Sequence, residues 1–349
     1  MPCFLSKKAS KIKPYAAGAQ PSQDGVIKLN TNENPYPPSP KAIEAYKNFR
    51  PESLRLYPRP DGGELKKAAA ALYGLREDNV FCGNGSDEVL ALSFYAFFDG
   101  GIMFPDVTYS FYPVWAELFG ISYKTLPVND DFTIPADKLT GRGIVLANPN
   151  APTGIALDLC EIESILKRNK DHVVLIDEAY SFFGAQSAAP LIEKYPNLLV
   201  VCTLSKAYSL AGLRAGFALG QPRLIEGLEN VKDSFNSYPL DAVAQAVGSA
   251  ALSDTAYYEE IAKKITATRD KTIKRLREMG FSVTDSKTNF IFAGKKGVDA
   301  ADLKNFLEKN KIFVRHWDAP RISGYLRISV GTDEQMEILL SRIKEYISR

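Results

Sequence analysis

Three apolar runs without polar alternation constrain the fold of this sequence more than any other feature. They are Gly143-Ile144-Val145-Leu146-Ala147, Val173-Val174-Leu175-Ile176 and Leu198-Leu199-Val200-Val201-Cys202. A strand with one wet face alternates apolar and polar residues. A continuous apolar run implies burial on both faces, as in a parallel sheet covered by helices. Gly101-Ile102-Met103-Phe104 is a fourth candidate strand, and helix-length stretches such as Leu157 to Asn169 lie between the runs. The alternation reads as an α/β fold with a mostly parallel central sheet flanked by helices.

The texture changes after Tyr238-Pro239-Leu240. Residues 241–279 read as largely helical. Strands follow at 289–292, 311–314 and 325–330, and a helix is expected over 333–347. This is the pattern of a smaller α+β domain. The sequence therefore divides into an N-terminal arm (1–28), a large domain (29–240) and a small C-terminal domain (241–349). In the large domain, helices are expected over 40–48 and 64–73, the second closed by Gly74.

A chain of 349 residues is long enough for two domains. Its 43 Lys+Arg against 41 Asp+Glu give a net charge of +2, which offers no global case for nucleic acid or an anionic membrane. Cys3, Cys82, Cys160 and Cys202 are scattered, as expected of free thiols in a reducing compartment. With two histidines far apart, His172 and His316, no histidine-rich metal site is expected. No apolar stretch reaches the roughly 18 residues of a membrane span. The arm, with Lys7, Lys8, Lys11 and Lys13, lacks the apolar region of a secretory signal. A cytoplasmic protein is expected.

Ligands of open α/β sheets bind beyond the carboxyl ends of the strands. Asn148 to Gly154 follow the first run, Asp177-Glu178-Ala179-Tyr180 the second, and Thr203-Leu204-Ser205-Lys206 the third. One end thus offers turn and amide groups, another a carboxylate, and the last a lysine beside a serine. Upstream, Gly85-Ser86-Asp87-Glu88 precedes a helical run, and a helix N-terminus presents free N–H groups to an anion.

Ser205-Lys206 with Gly212-Leu213-Arg214-Ala215-Gly216 resembles the motif of the aspartate-aminotransferase superfamily, fold type I enzymes dependent on pyridoxal phosphate. Over nearly its full length the chain is also similar to the histidinol-phosphate aminotransferases. The supporting segments are 28–35, 85–88, 108–112, 148–154, 177–180, 203–214 and 326–332. The resemblance gives Lys206 the role of the Schiff-base lysine and proton carrier. Asp177 would pair with the cofactor's pyridine nitrogen, and Tyr180 would bond its phenolic oxygen. Ser86, Asp87, Ser205 and Arg214 would hold its phosphate, and Tyr109 would stack on its ring. Tyr57 would reach the phosphate from a neighbouring subunit, which implies a homodimer with shared active sites. The family pattern also places an asparagine directly before Pro-Thr-Gly, against the phenolic oxygen. Here that residue is Ala151, leaving Asn150, a water or no group in its place.

For the substrate, the resemblance assigns Arg327 and Arg315 to anionic groups and Tyr15 to a closing role. It implies transamination between L-histidinol phosphate and 2-oxoglutarate, giving imidazole-acetol phosphate and L-glutamate. Rival readings are an aromatic amino acid aminotransferase, a decarboxylase of a phosphorylated amino acid, and a non-catalytic cofactor-binding regulator.

Overall fold

The computed structural model describes residues 4–6, 8–16, 18–21 and 24–349, so Cys3 and Lys7 lie outside it. Two sheets organise the chain. The central one has seven strands in the order β2-β8-β7-β6-β5-β3-β4: β2 (Val80–Gly83), β3 (Ile102–Pro105), β4 (Tyr123–Leu126), β5 (Gly143–Ala147), β6 (Val174–Asp177), β7 (Leu198–Thr203) and β8 (Gly216–Gly220). Pairing is parallel except at β8, which runs antiparallel to both β2 and β7. All three apolar runs named above are interior strands of this sheet.

Burial explains why those runs do not alternate. Val174 and Ile176 enter one hydrophobic cluster with Leu198 and Val200. Leu175 enters the other, on the opposite face, with Leu199 and Val201. Both faces are dry, so every position of the strand is apolar.

The smaller sheet has the order β1-β11-β12-β10-β9: β1 (Ile27–Leu29), β9 (Ser282–Val283), β10 (Phe290–Gly294), β11 (Ile312–His316) and β12 (Tyr325–Ser329). Strand β1 pairs in parallel with β11, Ile27 opposite Ile312 and Leu29 opposite Val314. The end of the expected arm and the start of the expected large domain therefore join the C-terminal sheet. The next residues, 30–34, carry the chain from that sheet across the mouth of the central one.

The region expected to be largely helical, 241–279, holds two helices, Ala242–Leu252 and Thr255–Glu278. The first is capped by Asp241, whose side chain accepts from Ala244 N–H. Its end is marked by Ser253, whose hydroxyl donates to the Ala250 carbonyl, a local bond that competes with helix continuation. No helix among the described residues is long and apolar enough to cross a membrane.

Candidate active site

Beyond the carboxyl ends of β5, β6 and β7 lies a cavity of about 390 Å³. Its wall includes Asp177 at the end of β6 with Tyr180 beyond it, Thr203 at the end of β7 with Ser205 and Lys206 beyond it, and Ala147 at the end of β5. Ser86, Asp87, Tyr109, Arg214, Arg315, Arg327 and Tyr15 complete most of the expected set. Sheet topology does this: parallel strands all deliver their last residues to one edge.

Asp177 is 5 % exposed at the end of β6. It accepts from Tyr112 Oη at 3.0 Å and from the Ala179 N–H at 3.1 Å. Burial pushes its carboxyl up to about 6 despite these two bonds, and Lys206 pulls weakly the other way. The site thus holds a carboxylate whose charge lacks a close cation. Lys206 Nζ donates to the Thr31 carbonyl at 3.2 Å and lies 5.8 Å from the centre of the Tyr180 ring.

One end of the cavity is an anion cup. The helix Gly85–Phe97 starts there, and its first-turn N–H groups, those of Ser86 and Asp87 among them, have no intrahelical acceptor. Arg214 reaches Ser205 Oγ at 3.4 Å and Asp87 Oδ2 at 3.2 Å. Tyr109 Oη donates to Asp87 Oδ1 at 3.1 Å. Space for an anion depends on two glycines. A Cβ on Gly85 would come within 2.7 Å of Arg214 Nη2, and one on Gly216 within 2.5 Å of Ser86 N.

A second cationic wall comes from the small sheet. Arg327 Nη2 donates to the Asn30 carbonyl at 2.9 Å, while its Nε is buried with no partner. Burial lowers the guanidinium's proton affinity. Arg315 donates to the Ala16 carbonyl at 2.9 Å. Tyr15 stacks on Phe111 at 4.5 Å and lies 6.4 Å from Tyr109, closing this side.

Two expectations are placed differently. Asn150 is fully buried but absent from the cavity wall, where Ala151 stands. Its Oδ1 accepts from Thr108 Oγ1 at 2.8 Å, and its Nδ2 donates to the Val107 carbonyl at 2.9 Å and to Thr153 Oγ1 at 3.0 Å. The amide is consumed in shaping its own loop and does not replace the missing asparagine. Tyr57 also lies off this wall. It is 83 % exposed and stacks on Tyr238 at 4.7 Å.

The segment 30–34 contributes what single-residue reading missed. Asn30, Thr31, Asn32 and Glu33 line the cavity. Asn32 has φ +57° and donates from Nδ2 to Tyr180 Oη at 2.9 Å. Asn34 Nδ2 donates to the carbonyls of Lys206 and Ala207, both at 3.2 Å. The signal available was a cluster of three asparagines just before a proline-rich loop.

With this geometry in place, comparison with known proteins is decisive. The family described as aminotransferase class I and II matches residues 24–343. The chain belongs to that family. It is 53 % identical over 348 residues to a histidinol-phosphate aminotransferase of Marinomonas sp. (strain MWYL1), covering 98 % of this chain and 99 % of that one. It is 50 % identical over 340 residues to a histidinol-phosphate aminotransferase of Lactococcus lactis subsp. cremoris (strain SK11), covering 96 % of each. Among solved structures, histidinol-phosphate aminotransferase from Sinorhizobium meliloti, in complex with pyridoxal 5'-phosphate, aligns with a TM-score of 0.84 at 25 % identity, over 92 % of this chain and 91 % of that one. The fold is that of the type I pyridoxal-phosphate enzymes.

This aminotransferase has the residues its cofactor requires. The glycine-lined cup with helix N–H groups, Ser205 and Arg214 suits a phosphate. The buried Asp177 carboxylate suits a protonated ring nitrogen, and Lys206 suits the carbonyl carbon.

Proposed function

We propose that this aminotransferase moves the amino group of L-histidinol phosphate to 2-oxoglutarate, giving imidazole-acetol phosphate and L-glutamate. The observation that carries the substrate assignment is the pairing of Arg327 with Arg315 on the cavity wall, Arg327 presenting a buried Nε without a partner. A cavity that already has an anion cup at Arg214 has in this pair a second site for a substrate anion. The phosphate of histidinol phosphate fits it in one half-reaction, and a carboxylate of glutamate in the other. The near full-length likeness to enzymes named for this substrate supports the same reading.

When bound, pyridoxal phosphate supplies an electron sink for the pair left at the substrate's Cα. This chain's residues do the rest. Asp177 would keep the ring nitrogen protonated, a pairing that would relieve the carboxylate of its buried, uncompensated charge. Lys206 Nζ would take the proton from the substrate Cα, hold it as an ammonium, and return it at the carbon to which the electron pair has moved. Tyr109 and Tyr180 would bound the cofactor ring, and Arg327 would hold the substrate's anionic group on the wall that it shares with Lys206.

We read the working unit as a cytoplasmic homodimer in which Tyr57 of one subunit reaches the other's phosphate cup. The 83 % exposure of this tyrosine in the single chain supports that role, as do the exposed Leu54 and Leu56 beside it. The unbridged thiols Cys82, Cys160 and Cys202 suit a reducing compartment.

The test is the absorbance spectrum of the protein loaded with pyridoxal phosphate, before and after histidinol phosphate. The expected result is loss of the lysine-bound cofactor band and its return on adding 2-oxoglutarate. A band that responds to phenylalanine or tyrosine but not to histidinol phosphate would overturn the substrate. A protein with no such band would overturn the assignment of Lys206.

A further inference from the structure

A backbone N–H always donates, and this fixes the hydrogen positions along a buried chain from the small sheet into the cavity. Asn32 N–H donates to Ser329 Oγ at 2.8 Å. Ser329, on β12, is 2 % exposed, and its own proton goes to Asn32 Oδ1 at 3.1 Å. Were the amide turned over, a backbone N–H and an amide N–H would both point at Ser329 Oγ. Its buried hydroxyl proton would then lose the acceptor the structure gives it. A buried donor left unmade costs about 1–3 kcal/mol, so the amide stands with its oxygen toward Ser329.

The backbone around this amide is held as firmly. Asn289 Nδ2 donates to the Asn32 carbonyl at 3.0 Å, and Asn32 itself is 1 % exposed. Its φ of +57° lies in the left-handed region, which asparagine tolerates better than most residues. The nitrogen of the amide therefore faces the large domain, where it donates to Tyr180 Oη at 2.9 Å. Tyr180 Oη accepts that bond, which leaves its own proton for an acceptor other than Asn32, and the residue lines the cavity.

At the position that the family pattern gives to an asparagine, the wall offers no side-chain amide. Ala151 presents a methyl group, and the Asn150 amide is spent within its loop. We infer that Asn32, locked by Ser329, is a positioning residue that makes the Tyr180 hydroxyl an obligate donor to the phenolic oxygen of the bound cofactor. Work that the family pattern divides between a tyrosine and an asparagine falls here to one hydroxyl, oriented from the small sheet. This inference rests on the pyridoxal-phosphate reading above and deepens it.

An oriented donor favours the ionised phenolic oxygen, so the lysine-bound cofactor loses its shared proton at lower pH. Glu33, Asp87, Asp177, Arg214, Arg315 and Arg327 also line the cavity and bias that pH. None of them is changed in the variants below.

The experiment is a pH titration of the visible absorbance of the loaded protein. The variants are Asn32→Ala, Ser329→Ala, Tyr180→Phe and Asn32→Ala with Tyr180→Phe. Asn32→Ala and Ser329→Ala are each expected to raise the midpoint, by about half to one unit for Asn32→Ala. In the Tyr180→Phe background, Asn32→Ala is expected to add nothing, because the amide acts through that hydroxyl. Ser329→Ala removes one oxygen and keeps the test open if Asn32→Ala does not fold. A midpoint that stays put in the variants that fold, with melting temperature alone reduced, overturns the inference and leaves the proposed function standing. So does a full additional shift in the double variant. A wild-type protein without the cofactor band overturns the proposed function and this inference together.

Discussion

Arg315 and Arg327 stand directly opposite each other on β11 and β12, and the Trp317 ring lies 5.2 Å from the guanidinium carbon of each. Two cations on facing positions repel unless an anion or a π-face intervenes. Trp317 supplies the π-face, Phe290 supplies another to Arg327 at 5.4 Å, and an anionic substrate completes the arrangement. Arg327→Lys keeps the charge and loses the planar fork. It is expected to lower kcat/KM for histidinol phosphate by about a hundredfold, mainly through KM, as for a lost charged hydrogen bond. Arg315→Ala is expected to cost about tenfold. Steady-state kinetics check both, and an unchanged KM in Arg327→Lys would place the substrate anion elsewhere.

Among the described residues, the Lys206 ammonium donates to the Thr31 carbonyl alone, at 3.2 Å. Lys206→Ala should therefore fold, with little change in melting temperature. Transamination is expected to fall by at least about 10²–10⁴, the range for a positioned proton-transfer group. Pyridoxal phosphate should no longer stay attached after denaturation in borohydride. Retained covalent attachment would assign the linkage to another lysine.

How much of this was legible beforehand follows from where each residue gets its position. Lys206, Asp177 and Ser205 were readable because a strand buried on both faces announces itself, and its exit point is the sheet edge where ligands sit. Asn32 was not. Its role depends on a positive φ and on Ser329 and Tyr180, which lie 297 and 148 residues away. Asn150 failed for a related reason: residue type says that an amide is present, not whether it faces a cavity or its own loop. Strand β8 escaped notice because its apolar centre, Phe217-Ala218-Leu219, is short and flanked by glycine. Strand β1 did so because its partner β11 comes from the far end of the chain.

The raised carboxyls at the end of β6 make the unloaded protein's stability depend on pH. Burial lifts Asp177 from 3.8 to about 6, and Glu178 beside it from 4.5 to about 7. A carboxyl whose folded-state pKa is raised is easier to accommodate protonated. The stability it allows is full below about pH 4 and lost as pH rises through 6 to 7. For Asp177 the loss is on the order of 3 kcal/mol. Asp177→Asn is expected to be more stable than wild type at pH 8 without cofactor, with the gap closing toward pH 4. Denaturant unfolding at several pH values measures this. Adding pyridoxal phosphate should stabilise wild type more than Asp177→Asn at pH 8, because the ring nitrogen then compensates the carboxylate.

Tyr57 tests whether two subunits build one site. It is 83 % exposed and stacked on Tyr238, with Leu54 and Leu56 more than half exposed and Phe235 80 % exposed nearby. Such a collection of bare apolar side chains marks a contact surface. Sedimentation is expected to give twice the chain mass of 38.5 kDa. Tyr57→Ala should weaken cofactor binding although the residue is not on its own subunit's cavity wall. The sharper measurement mixes two defective proteins, Tyr57→Ala and Lys206→Ala, and allows their subunits to exchange. Each mixed dimer has one site built from an intact lysine and an intact tyrosine. Activity above the sum of the separate proteins is expected. Strictly additive activity, in mixtures shown to have exchanged, would mean that each chain completes its own site and that Tyr57 serves packing alone.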